Sequence, residues 1–73
     1  MKNFIEITPK YFNQGSEKWD ISNNKNTINV NYIFEVFENG FNMAVNYQDV
    51  PIRIHTVEDY ETLKTLIKQS LNE

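Results

Sequence analysis

The sequence predicts an α+β domain: a mostly antiparallel sheet of four to five strands in a meander, with one C-terminal helix packed on one face. Two strictly alternating runs flank Asn39-Gly40, more alternation follows Gln48-Asp49, and apolar residues from Val57 to Leu71 recur at helical spacing. An Asn-Gly pair favours the type I′ hairpin turn, in which both central residues take φ > 0. With Asn39-Gly40 as that loop, Glu38 faces Phe41, and Val36 pairs with Met43, Phe34 with Val45 and Tyr32 with Tyr47. Ile33, Glu35 and Phe37 then oppose Asn46, Ala44 and Asn42, so one face is apolar on both strands, and a slip of one residue would destroy it.

The elements follow in order. Phe4-Ile5-Glu6-Ile7-Thr8 reads as a short strand with Ile5 and Ile7 on one side, ended by Pro9 or confined by it to an edge, because proline donates nothing to the ladder. Residues 9–27 hold Tyr11-Phe12, the turn-like Asn13-Gln14-Gly15-Ser16 and the strand-like Lys18-Trp19-Asp20-Ile21-Ser22, the pieces of a second hairpin. From Ile28 the alternation runs through Val30, Tyr32, Phe34 and Val36 without a break. A two-residue turn at Gln48-Asp49 would set Val45 against Ile52 and Met43 against Ile54 on the same face. Thr56 reads as the N-cap of the helix with Asp59 at the capping-box position, and Val57, Tyr60, Leu63, Leu66, Ile67 and Leu71 form its apolar stripe. The helix would cover the face made by Phe34, Val36, Met43, Val45, Ile52 and Ile54.

Size and composition bound the function. The chain has 73 residues, a single domain (1–73) of the size at which one core is marginal without disulfides, metal or oligomerisation, and it has no cysteine. The charged start Met1-Lys2-Asn3-Phe4-Ile5-Glu6 argues against a signal peptide, and no stretch approaches the roughly 20 apolar residues of a membrane span, so a cytoplasmic protein is expected. Net charge is −3. Residues 1–27 carry four lysines against three acids, and the rest carry seven acids against Arg53, Lys64 and Lys68. No more than two cations fall close together, which makes nucleic acid an unlikely partner, because each neutralised phosphate needs its own cation. The acidic trio Glu58, Asp59 and Glu61 is accounted for by helix capping.

The order of a short strand ending Ile7-Thr8, the run Ile28-Asn29-Val30-Asn31-Tyr32-Ile33, a tight hairpin, and a β-branched strand entering an acidic helix with Tyr60-Glu61 resembles small FlbD-like flagellar accessory proteins and related short bacterial proteins. The resemblance spans residues 5–8, 28–38 and about 43–68, and implies the same α+β fold and an accessory role without an enzymatic motif. That family joins its first strands by a short Asn-Gly turn where this chain has the long segment 9–26, and carries Glu-Ser where His55-Thr56 stands here. It also places a break near Asn31-Tyr32, which the alternation crosses.

Candidate sites are few. His55 is the only histidine, so a histidine metal site or a catalytic triad within one chain is not available, and its place at a strand end reads as structural. Glu35 and Glu38 read as solvated carboxylates on a polar hairpin face, and neither glycine opens a phosphate-binding turn. No cofactor or metal and no catalytic residue is expected. The ten aromatic residues carry more meaning. Core packing explains Tyr32, Phe34, Tyr47 and Tyr60, but Ile33 and Phe37 fall on the face away from the helix. Something must cover them: the N-terminal segment with Tyr11, Phe12, Trp19 and Ile21, a second copy, or another protein. Ile33, Phe37, Tyr11, Phe12 and Trp19 are therefore the candidate interface residues. The expected function is a small non-enzymatic accessory or interaction protein acting through protein contacts and self-associating. The alternative is a small inhibitor or regulator of a nucleic-acid enzyme, of phage or immunity type, or direct nucleic-acid binding.

Overall fold

The computed structural model describes residues 2–44 and 51–72. Over these the fold is α+β, with seven strands, β1 (Phe4–Ile7), β2 (Lys10–Asn13), β3 (Lys18–Ile21), β4 (Asn26–Asn29), β5 (Ile33–Phe37), β6 (Gly40–Ala44) and β7 (Pro51–His55), and one helix, α1 (Tyr60–Leu71). All pairings are antiparallel. In place of one sheet of four to five strands there are three small ones, β1-β4, β2-β3 and β5-β6-β7.

The first two sheets are halves of one bent hairpin. β1 pairs with β4 from Phe4↔Asn29 to Ile7↔Asn26, and β2 pairs with β3 from Lys10↔Ile21 to Asn13↔Lys18. Between them Thr8 and Pro9 face the four residues Ser22 to Lys25. Pro9 has no N–H to give the ladder, yet its carbonyl accepts from Ser22 N–H at 2.9 Å, so pairing resumes beyond it. The surplus residues fold onto themselves, with Ser22 Oγ donating to the Asn24 carbonyl at 2.9 Å and accepting from Asn24 N–H at 3.1 Å. At the tip, Asn13 Oδ1 accepts from Gly15 and Ser16 N–H at 2.9 and 3.2 Å, and Glu17 takes φ 57°.

The stretch after β4 does not continue as a strand. Asn29 Oδ1 accepts from Asn31 N–H at 2.9 Å and starts a short 3₁₀ turn over Val30–Tyr32. That turn buries Val30 and leaves Tyr32 half exposed. The unbroken alternation is thus overturned at Val30–Tyr32. A second interruption follows in β5: Ile33 pairs with Met43 and Glu35 with Asn42, so Phe34 is an extra, bulged residue and is 61% exposed.

The hairpin register also differs from the expected one, by two residues. Phe37 pairs with Gly40 and Val36 with Phe41, which makes Glu38-Asn39 the loop. Asn39 alone has positive φ, 59°, so the turn is not type I′. Gly40 serves a different purpose. A Cβ there would lie 2.5 Å from the Ile54 carbonyl oxygen and 2.8 Å from the Phe37 ring, so glycine permits the close approach of β7. β6 and β7 pair as Phe41↔Ile54 and Met43↔Ile52, again two residues from the expected register. A slip of two preserves the faces. Val36, Met43 and Ile54 do pack toward the core, while Phe34 does not and Ile52 is 41% exposed. Val45, Asn46, Tyr47 and the expected Gln48-Asp49 turn lie outside the described residues.

The core is small: Ile5, Ile7, Val30, Phe41 and Leu63 are buried, with Ile28, Ile33, Val36, Met43, Ile54, Leu66 and Ile67 packed around them. The helix rests on β1 and β5. Its N-cap is Asp59, not Thr56: Asp59 Oδ1 accepts from Thr62 N–H at 2.9 Å, and hydrogen bonding from Thr62, side chain first and backbone with it, holds the Asp59 carboxyl below its ordinary pKa. Thr56 instead is fully buried at the seam of the fold, where it bridges to Pro9 and its hydroxyl donates to the Glu58 carbonyl at 2.8 Å. Glu58 ties the helix start to the first strand by accepting from Thr8 N–H at 2.8 Å. Val57 falls before the helix and is 43% exposed, so it is not part of the stripe. Among the described residues no helix is long and apolar enough to cross a membrane.

Candidate functional site: an aromatic cleft under the hairpin arm

Beyond Pro9 the bent hairpin leaves the core. Seven of the eight residues of β2 and β3 are exposed and the eighth, Lys10, is intermediate. Tyr11, Phe12, Trp19 and Ile21 are 60, 50, 43 and 61% exposed, an unusual concentration of large apolar surface on one short ribbon. The ribbon stays folded through its own ladder, the Asn13 turn, and Asn13 Nδ2 donating to Asp20 Oδ2 at 3.1 Å.

The register sorts the arm into two faces. Lys10↔Ile21 and Phe12↔Trp19 share one, and Tyr11↔Asp20 and Asn13↔Lys18 the other. The Phe12 and Trp19 rings meet edge to face at 5.4 Å, and Trp19 then reaches the three-stranded sheet by stacking obliquely on His55, with ring centroids 4.9 Å apart. His55 in turn lies edge-on to Phe37 at 6.4 Å. Two cations flank this row, Lys10 Nζ 5.0 Å from the Trp19 ring and the Arg53 guanidinium 4.5 Å from the Phe37 ring. Arg53 Nε also donates to Asn42 Oδ1 at 3.3 Å, and Asn42 Nδ2 donates to Glu35.

Between the arm and β7 these side chains enclose a cleft of about 310 Å³, whose walls include Lys10, Phe12, Trp19, Asn26, Arg53 and His55. None of the described residues lining it is acidic. The arrangement offers aromatic faces and cation donors.

Of the five candidate interface residues, four lie on or beside this cleft. Phe12 and Trp19 form its aromatic wall and Tyr11 also borders it. Phe37 is half-buried on its own sheet, with the Arg53 guanidinium over its ring and His55 edge-on to it, and His55 in turn carries Trp19 of the arm. Ile33 is placed elsewhere: the bulge at Phe34 turns it toward the core, where it packs with the buried cluster. The approach of Lys10, Arg53 and His55 to these rings depends on the hairpin bending at Pro9, which no local pattern announces. The one local signal was the alternation Lys10-x-Phe12, which puts a cation and a ring on one side of a strand. Comparison with protein-family models, curated proteins and solved structures returns no match for this chain.

Proposed function

We propose that this chain is a non-enzymatic interaction protein of the cytoplasm that works through protein contacts, self-association included, with the hairpin arm as its contact surface. The observation that carries the reading is the arm itself, four large apolar side chains exposed on a ribbon that the buried core does not need. Exposed apolar area of this kind favours association by removing rings from water, at about 25 cal/mol per Å² of apolar surface buried. The pairing of β1 directly with β4 makes the segment between them an extension of one hairpin that the three-stranded sheet does not include. Light scattering tests self-association: the wild type should exceed the monomer mass at high concentration, and Phe12→Ser with Trp19→Ser should return it to a folded monomer. A wild type that stays monomeric refutes self-association and leaves a foreign protein as the partner.

One arrangement favours the second reading, direct nucleic-acid binding. Cations set beside exposed aromatic rings are the elements of a single-strand stacking surface. The two readings part on salt, because phosphate binding weakens steeply as salt rises and an apolar contact does not.

A further inference from the structure

Resting on the reading of the arm as a protein contact surface, we propose that the cleft between β2 and β7 binds a short extended peptide segment in which a carboxylate side chain stands beside a large apolar one. Charge complementarity points to the carboxylate. Lys10 of β2 and Arg53 of β7 both line it, none of the described residues that line it is acidic, and the chain as a whole carries −3, so this positive spot runs against the overall charge. Among the described residues each cation lies over a ring and neither meets a carboxylate, Arg53 having besides only a 3.3 Å donation to the neutral Asn42 amide, and such attachments a carboxylate from outside outcompetes. The apolar neighbour follows from the walls, since Phe12 and Trp19 are each about half exposed there and removing them from water is favourable.

Size and backbone supply the rest. A volume of about 310 Å³ is at the small end for a ligand pocket, room for an anchoring side chain and its neighbour rather than a helix. Among the described residues β2 and β3 pair only with each other, and at the edge of either an extended segment adds as a further strand. A nucleic-acid strand fits less well. Two cations neutralise about two phosphates, which gives a shallow salt slope and weak binding.

The test is a selection of random displayed peptides on the full-length chain, followed by titration of the best synthetic peptide against the emission of Trp19, the only tryptophan. The expected result is enrichment of Asp or Glu next to Phe, Leu, Ile or Trp, a shift of Trp19 emission on binding, and at least tenfold weaker binding to Lys10→Gln/Arg53→Gln with an unchanged circular dichroism spectrum. Absence of enrichment, enrichment without acidic preference, or binding by the double variant within twofold of the wild type would each overturn it. So would an oligothymidylate that displaces the peptide and binds more tightly. Should protein contacts depend on Phe12 and Trp19 but not on Lys10 and Arg53, the arm remains the contact surface and this peptide specificity is wrong.

Discussion

Truncating Phe41 and Phe34 to alanine, one at a time, separates two packings of the central hairpin. Phe41 is fully buried, paired with Val36 and Ile54, and surrounded by Ile5, Ile7, Val30 and Leu63. A phenylalanine side chain hides roughly 175 Å². At about 25 cal/mol per Å² that is about 4 kcal/mol, within the range of roughly 3–5 typical of Phe→Ala in a core. A 73-residue domain has in all roughly 4–11 kcal/mol, so Phe41→Ala should lose a third or more of the stability, and all of it at the low end of that range. Phe34 is 61% exposed on the bulge, so the same arithmetic on the remaining two-fifths gives about 1.5 kcal/mol as an upper bound. Urea unfolding followed by circular dichroism reads both. Equal losses, or a larger loss for Phe34→Ala, would refute the bulge and the two-residue shift of register.

Gly40→Ala should cost about 2 kcal/mol or more in the same assay, because its Cβ meets the Ile54 carbonyl at 2.5 Å and backbone cannot yield cheaply; a neutral effect would show that β7 does not approach there. Asn39→Ala should cost about 1–2 kcal/mol, through the positive φ and the lost donation from Nδ2 to the Val57 carbonyl at 3.1 Å, and Asn39→Gly should recover part of it. The Asp59 cap should make stability pH-dependent. Its folded pKa is lowered, so its contribution is complete above the unfolded value near 4 and is lost as pH falls through the folded value. Asp59→Asn keeps the acceptor without the titration and should flatten that acid limb, read as Tm against pH; an identical limb would rule the cap out as its cause. By the same arithmetic Phe12→Ser/Trp19→Ser should cost at most about 5 kcal/mol, the half-buried area of the two rings with the contact of Trp19 on His55, and because both stand outside the core the helix and the remaining sheets should persist in the circular dichroism spectrum without urea; a spectrum without them would make the arm part of the fold's foundation.

The parts of the fold that were legible are those in which one local pattern decides the outcome. Ile5 and Ile7 alternate and are buried, and Leu63, Leu66 and Ile67 lie on the inner side of the helix as their spacing requires. The region 28–37 was legible in composition but not in phase. Its inward residues are Ile28, Val30, Ile33 and Val36, a sequence of spacings that no single period describes. Two local devices reset the phase, the Asn29 side chain capturing Asn31 N–H and the bulge at Phe34. The first could be suspected from asparagine at 29, whose amide competes with the strand ladder. The bulge has no comparable signature. Asn39-Gly40 misled because Gly40 answers to the approach of β7, a contact between distant segments, rather than to the turn. At the site, the aromatic residues of the arm stood out from composition alone. The pairing of Trp19 with His55 required the bend at Pro9, which depends on four residues opposing two across the hairpin.

The most direct test of the arm as the working surface is affinity capture from cells of the native host, with the wild type and the folded Phe12→Ser/Trp19→Ser variant as parallel baits. The expected result is a protein, this chain or another, held by the wild type in moderate and high salt and absent from the variant. The same proteins held equally by both baits would contradict the account.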